Sequence, residues 1–116
     1  MTKHVTVFMT APDEGEAGSI AKKLVEERLC ACVNIVPKVR SIYRWQGEIC
    51  DEPEVMMIAK TEATLSAALV SRVKELHSYE VPEIICLPIQ TGSGEYLDWI
   101  AASVDAPAKK EGELEL

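Results

Sequence analysis

The side chains best suited to chemistry fall into three groups: a Cys30-x-Cys32 pair, a lone His77 after a helical stretch, and a set of aromatic and charged residues. Alternate residues of an extended strand share a face, so Cys30 and Cys32 present two thiols together, the donor type that soft ions such as Cu(I) prefer. The pair fits buried, inert thiols equally, because free cysteine is among the most buried residue types. No second Cys pair follows at zinc-ribbon spacing. His77 ends an apolar-periodic helix, where the dipole favours an imidazolium, so it serves as a C-terminal cap or as a metal or ligand contact. Tyr43, Trp45, Lys60, Tyr79, Glu80 and Glu83 combine aromatic walls with a few charges, the make-up of a small-ligand cleft. The same Trp and Tyr also suit anchors of a protein interface. Glu80 and Glu83 lie three apart across Pro82 and form a candidate carboxylate pair, yet no nucleophile–base pairing is legible and no enzyme is expected. Gly92-x-Gly94 lacks the further glycine and lysine of phosphate-binding loops and reads as a turn.

The elements that must position these groups follow from periodicity. His4 to Thr10 is nearly continuously apolar and predicts a central strand. Asp13 with Glu16 after Pro12 fits a capping box, and Ala17, Ile20, Ala21, Leu24 and Val25 recur at helical spacing, so residues 13–29 predict an amphipathic helix. Ala31 to Trp45 is rich in β-branched and aromatic residues; it turns at Gln46-Gly47 and returns to Thr61. Such a strand reaches on the order of 50 Å, whereas a domain of this size has a radius of gyration near 13 Å. Part of the hairpin must project, and its unpaired edges call for a neighbour. A two-residue turn pairs Trp45 with Glu48, Ile42 with Asp51 and Ile35 with Ile58, with Pro37 and Pro53 marking bulges or bends. Thr61 or Thr64 caps a second helix carrying Leu65, Leu69, Val73 and Leu76. Glu83 to Ile89 is a buried strand holding Cys86, Glu95 to Ser103 a last helix, and residues 105–116 a flexible tail.

The order β-α-β-β-α-β plus a terminal helix, with right-handed crossovers, gives an α+β ferredoxin-like sandwich: a four-stranded antiparallel sheet, first and third strands central, both long helices on one face. The other face needs a cover, a second argument for self-association, which periodicity alone leaves as dimer or trimer. The 116 residues make one domain, residues 1–104, with 47% apolar and 27% charged residues. A net charge of −7 and no basic block disfavour nucleic acid and anionic membrane. The N-terminal apolar run is too short for a signal peptide or a membrane span, so the protein is expected in the cytoplasm with reduced thiols.

Several blocks together resemble the CutA1 family: Thr10-Ala11-Pro12-Asp13-Glu14, Leu29-Cys30-Ala31-Cys32-Val33-Asn34, Ser41-Ile42-Tyr43-Arg44-Trp45-Gln46-Gly47-Glu48-Ile49, Ile58-Ala59-Lys60-Thr61, Tyr79-Glu80-Val81-Pro82-Glu83-Ile84 and Tyr96-Leu97-Asp98-Trp99-Ile100. The resemblance implies a non-enzymatic, PII-like homotrimer linked to divalent-cation tolerance, with copper foremost and no obligatory cofactor. Some members carry a cysteine where this chain has Met9, a His-His pair where it has Leu76-His77, and a proline where it has Ser78. The implied metal residues are therefore His77 and Met9, with Cys32 as a further donor. A PII-like fold also implies an alternative: a sensor that binds a small metabolite between subunits, near Tyr43, Trp45, Lys60, Tyr79, Glu80 and Glu83, and contacts a partner protein.

Overall fold

The computed structural model describes residues 3–104, so the tail expected at 105–116 lies outside the described residues. Strand β1 (His4–Ala11) leads into helix α1 (Glu14–Glu26), then β2 (Cys32–Trp45) and β3 (Glu48–Glu62). A single 3-10 turn (Ala63–Leu65) precedes α2 (Ser66–Leu76), followed by β4 (Ile84–Pro88) and α3 (Gly94–Ser103). The strands form one sheet in the order β2-β3-β1-β4, every neighbouring pair antiparallel, with the expected first and third strands at its centre. Alternation along the strands sends Val5, Val7, Met9, Val55, Met57 and Ala59 to one face. There they pack with Ala17, Ile20 and Leu24 of α1 and Leu69 and Val73 of α2 as the main core. A smaller cluster of Ala31, Leu65, Ile100 and Val104 holds α3 against the base of the hairpin.

Helix ends depart from the periodic reading for local reasons. Asp13 caps α1 as expected, its carboxylate accepting the Glu16 amide at 2.8 Å, but the Glu16 side chain leaves the cap and accepts the Ser78 amide at 2.8 Å. The helix stops at Glu26 because Arg28 takes φ 59°, which lets the Leu29 amide reach the Leu24 carbonyl at 2.9 Å. Such a left-handed residue closes a helix by satisfying its last carbonyls. Neither threonine caps α2. Thr61 belongs to β3 and donates its hydroxyl to the Leu29 carbonyl at 2.8 Å, while Leu65 occupies the cap position without a side-chain bond.

The hairpin turns at Gln46 (φ 51°) and Gly47 (φ 82°), two consecutive left-handed residues. That is the turn whose twist matches the flanking strands. Trp45 faces Glu48 and Ile42 faces Asp51, as the two-residue turn requires. Nearer the base, Ile35 faces Met57 rather than Ile58. Val36 pairs with Met56 and Val39 with Glu54, so Pro37 and Lys38 together oppose Val55 alone. This is a β-bulge at a proline that has no amide to donate, and it shifts the register by one. Pro53 stays in the ladder opposite Arg40. β1 ends at Ala11 opposite Val55, so residues 37–54 run on as a two-stranded ribbon. The molecule accordingly measures 54 × 28 × 25 Å, with a radius of gyration of 15.3 Å.

Candidate functional site

The bulge re-aims the ribbon and opens a cleft between its near face and the loop that follows α2. Ser41, Tyr43 and Trp45 alternate along one face of β2, and their cross-strand partners Glu52, Cys50 and Glu48 share it. The opposite wall comes from Ser78, Tyr79, Glu80, Val81 and Glu83, and Thr10 and Glu54 lie at the floor. This open cleft has a volume of about 700 Å³, within the range of small-molecule sites.

Four hydrogen bonds hold that wall in place. The His77 side chain is fully buried; its Nε2–H donates to the Thr10 carbonyl at 2.7 Å and its Nδ1 accepts the Tyr79 amide at 3.0 Å. The ring is therefore the neutral Nε2–H tautomer, an assignment that follows from the network. Glu16, 3.4 Å from Nδ1, completes the junction through Ser78. Tyr79 then reaches across the cleft and donates its phenol to Glu54 Oε2 at 2.7 Å. Glu54 is 8% exposed. Burial first, and then the Glu54 carboxylate, hold the Tyr79 phenol above its ordinary pKa. Tyr43 is raised in the same sense, first by desolvation and then by the neighbouring carboxylates, Glu52 foremost.

Of the residues singled out in the sequence, Tyr43, Trp45, Tyr79, Glu80 and Glu83 line this cleft and Lys60 does not. Lys60 pairs across β3 with Cys32 and Thr6 and donates to the Asn34 side chain. It stands six residues along β3 from Glu54, about 20 Å for an extended strand. Glu54 was not singled out in the sequence, because its burial depends on a tyrosine that arrives from the far end of α2. The alternation Ser41, Tyr43, Trp45 was the readable half of the signal.

The metal residues implied by resemblance are not brought together within the protomer. Met9 is fully buried in the main core, and its row across the sheet is Ile84, Met57 and Ile35. Cys32 lies three residues away from that row, its Sγ 3.6 Å from the Tyr96 hydroxyl. His77 has both ring nitrogens committed to backbone groups, which leaves no lone pair for a metal. Among the described residues no group of three or more His, Cys, Asp or Glu side chains is placed to hold a metal ion. Cys30 lies before β2 begins and is 1% exposed in the main core, where burial pushes its thiol up to about 12. The two thiols therefore do not act as a clamp: one is core, the other is at the sheet edge beside α3. All four cysteines are free, and Cys86 lies at the core's rim rather than within it.

An open-faced four-stranded α+β sandwich with a projecting ribbon and a cleft at the ribbon's root is the class this architecture defines. A sequence profile of the family described as CutA1 divalent ion tolerance protein matches residues 5–103, and the chain belongs to that family. It is 55% identical over 94 residues to the divalent-cation tolerance protein CutA of Thermus thermophilus, covering 81% of this chain and 91% of that one. Against Protein CutA of Homo sapiens the identity is 46% over 93 residues, 80% of this chain and 52% of the human one, so the chain spans about half of that relative. Among solved structures, Cut A1 from T. thermophilus superposes with a TM-score of 0.85 at 51% identity, covering 88% of this chain and 99% of that one. CutA from Xylella fastidiosa gives 0.87 at 39% identity, covering 90% and 100%. No helix among the described residues is long and apolar enough to cross a membrane.

Proposed function

We propose that this protein contributes to divalent-cation tolerance as a non-enzymatic, cytoplasmic homotrimer. The observation that carries the assembly is the bare sheet face. Val36, Ile85 and Leu87 are 38%, 50% and 41% exposed there, and Phe8, Met56 and Ile58 lie among them half-buried. The printed names of the relatives support the tolerance role. Copper or another divalent ion would be met by side chains the protomer leaves accessible, namely Cys32 and the carboxylates Glu80 and Glu83, whereas Met9 and His77 are spent on packing and backbone bonds. Equilibrium dialysis against Cu(I), Cu(II) and Zn(II) tests this. His77→Gln should leave uptake unchanged and Cys32→Ser should lower Cu(I) uptake; the reverse pattern would restore the histidine as a ligand.

The cleft favours a second reading, a PII-like sensor that binds a small metabolite near Tyr43 and Trp45 and contacts a partner protein through the ribbon. Its volume of about 700 Å³ supports a ligand larger than an ion. Thermal-shift screening of metabolites, with capture of partners by wild type and Trp45→Ala, tests this reading. Trimers that persist while capture is lost would favour it.

A further inference from the structure

We propose that His77 is a proton-operated latch on the cleft. A proton taken from solvent at Nδ1 transfers that nitrogen's hydrogen bond from the Tyr79 amide to the Glu16 carboxylate, and Tyr79 then withdraws from Glu54. The device lies within one protomer and stands apart from both functional readings, since it needs neither a metal nor a metabolite.

Each half of the exchange is set up in the neutral state. The His77 side chain is 0% exposed inside a single chain, so its surroundings do not wait on a sister subunit. Its Nε2–H donates to the Thr10 carbonyl at 2.7 Å, and Nδ1, the position left for a proton, accepts the Tyr79 amide at 3.0 Å. A proton on Nδ1 sets two donors face to face, and the amide must leave. The replacement partner is already beside it, with Glu16 Oε2 3.4 Å from Nδ1. An approach of roughly half an ångström turns that pair of acceptors into a charge-assisted bond of about 2.7–2.9 Å. The same oxygen accepts the Ser78 amide at 2.8 Å. A carboxylate oxygen has two lone pairs, so the new bond adds to that contact rather than displacing it.

The groups around the ring favour the imidazolium, while burial opposes it. Glu16 faces it from α1 and the Thr10 carbonyl from β1. Tyr79 lies beside it with ring centroids 4.8 Å apart, and Glu54 and Tyr43 of the hairpin stand behind the Tyr79 phenol. The carbonyl end of α2 adds its dipole, since the His77 amide closes the helix on the Val73 carbonyl. Among the described residues no lysine or arginine is paired with Glu16, so its charge is free to meet the ring.

Tyr79 carries the change outward. Its amide is held by His77 and its phenol donates to Glu54 at 2.7 Å across the cleft, so one residue joins the ring to the floor. Residues 77–83 contain no helix or strand, and no ladder holds Tyr79 in place once its amide is released.

The chain has two histidines, so His4→Asn assigns the imidazole signals. It has two tryptophans, so Trp99→Phe leaves Trp45 as the fluorescent reporter of the cleft. Imidazoles as a class change charge between about pH 5 and 8, which sets the range to scan. Nitrogen-15 spectra of the intact protein should show His77 Nδ1 passing from acceptor to protonated, with the Tyr79 amide shift and Trp45 emission changing at the same midpoint. Glu16→Gln keeps an acceptor for Ser78 and removes the charge, and should lower that midpoint by about one pH unit or more. Tyr79→Phe should leave the imidazole titrating and abolish the Trp45 response. His77→Gln, which keeps a donor and an acceptor but takes up no proton, should hold Trp45 emission flat across the range. An Nδ1 that stays unprotonated throughout, or one that titrates while the Tyr79 amide and Trp45 hold still, would overturn the latch. So would a wild-type response in His77→Gln, or circular dichroism showing that the fold is lost before the ring takes up its proton.

Discussion

Cys30 shows how far a single side chain's surroundings reverse its apparent chemistry. In the sequence it looks like half of a thiol clamp; in the fold it is packed among Val5, Leu24 and Leu69 in the main core, and burial lifts its pKa from 9.0 to about 12. The native state therefore holds on to a proton that the unfolded chain releases near pH 9. Its contribution is complete below pH 9 and is lost as pH climbs toward 12, by at most about 1.4 kcal/mol per pH unit for one proton. Urea titrations between pH 8 and 11 should show stability falling more steeply in wild type than in Cys30→Ala, and parallel slopes would contradict this. Cys30 should also resist thiol reagents until the protein unfolds. Tyr79 offers a second check at the same scale. Tyr79→Phe removes the donor from a buried carboxylate, and a hydrogen bond to a charged group contributes about 1.5–3 kcal/mol. Chemical denaturation should register a loss of that order, whereas a change below about 0.5 kcal/mol, typical of an ordinary surface substitution, would mean that Glu54 is otherwise satisfied.

At the level of elements, the ribbon was legible because its composition is unbroken from Ala31 to Trp45, and the Gln46-Gly47 turn fixed the register of its outer half. The inner half was not legible. A proline signals an irregularity but not the number of residues it inserts, and the one-residue bulge at Pro37-Lys38 moved every pairing below it. Helix boundaries were lost in the same way, to tertiary partners: Thr61 spends its hydroxyl on Leu29, and Glu16 spends its carboxylate on Ser78. The ribbon's outer face carries Ile42 and Ile49 at 63% and 65% exposure, opposite Asp51 and Arg44 respectively. Exposed isoleucines on an unpaired ribbon are what a neighbouring chain would cover. The double variant I42K/I49E keeps charge pairing across the hairpin and removes the apolar stripe. It should leave far-ultraviolet circular dichroism unchanged and lower the assembly state; intact trimers would exclude the stripe as a contact.

For the whole molecule, the fold was readable because each level agreed: a central apolar strand, two one-faced helices, and strands whose order follows from right-handed crossovers. The cleft was half readable. Tyr43, Trp45, Tyr79, Glu80 and Glu83 do converge, since they lie at the ribbon root and in the loop after α2. Lys60 was grouped with them by chain proximity to the hairpin, and strand geometry carried it some six residues away along the sheet. As a ligand Met9 comes only from resemblance to other sequences, whereas strand alternation brings in Cys32 and helix position brings in His77; here Met9 is spent on packing and His77 on backbone bonds.

The claim on which the assembly, the ribbon and the bare sheet face all converge is that one chain is an incomplete unit. Sedimentation equilibrium at micromolar concentration tests it most directly. A single species at three times the 12.8 kDa of the chain is the predicted result. A well-folded species at 12.8 kDa, stable on dilution and showing no tendency to associate, would contradict it.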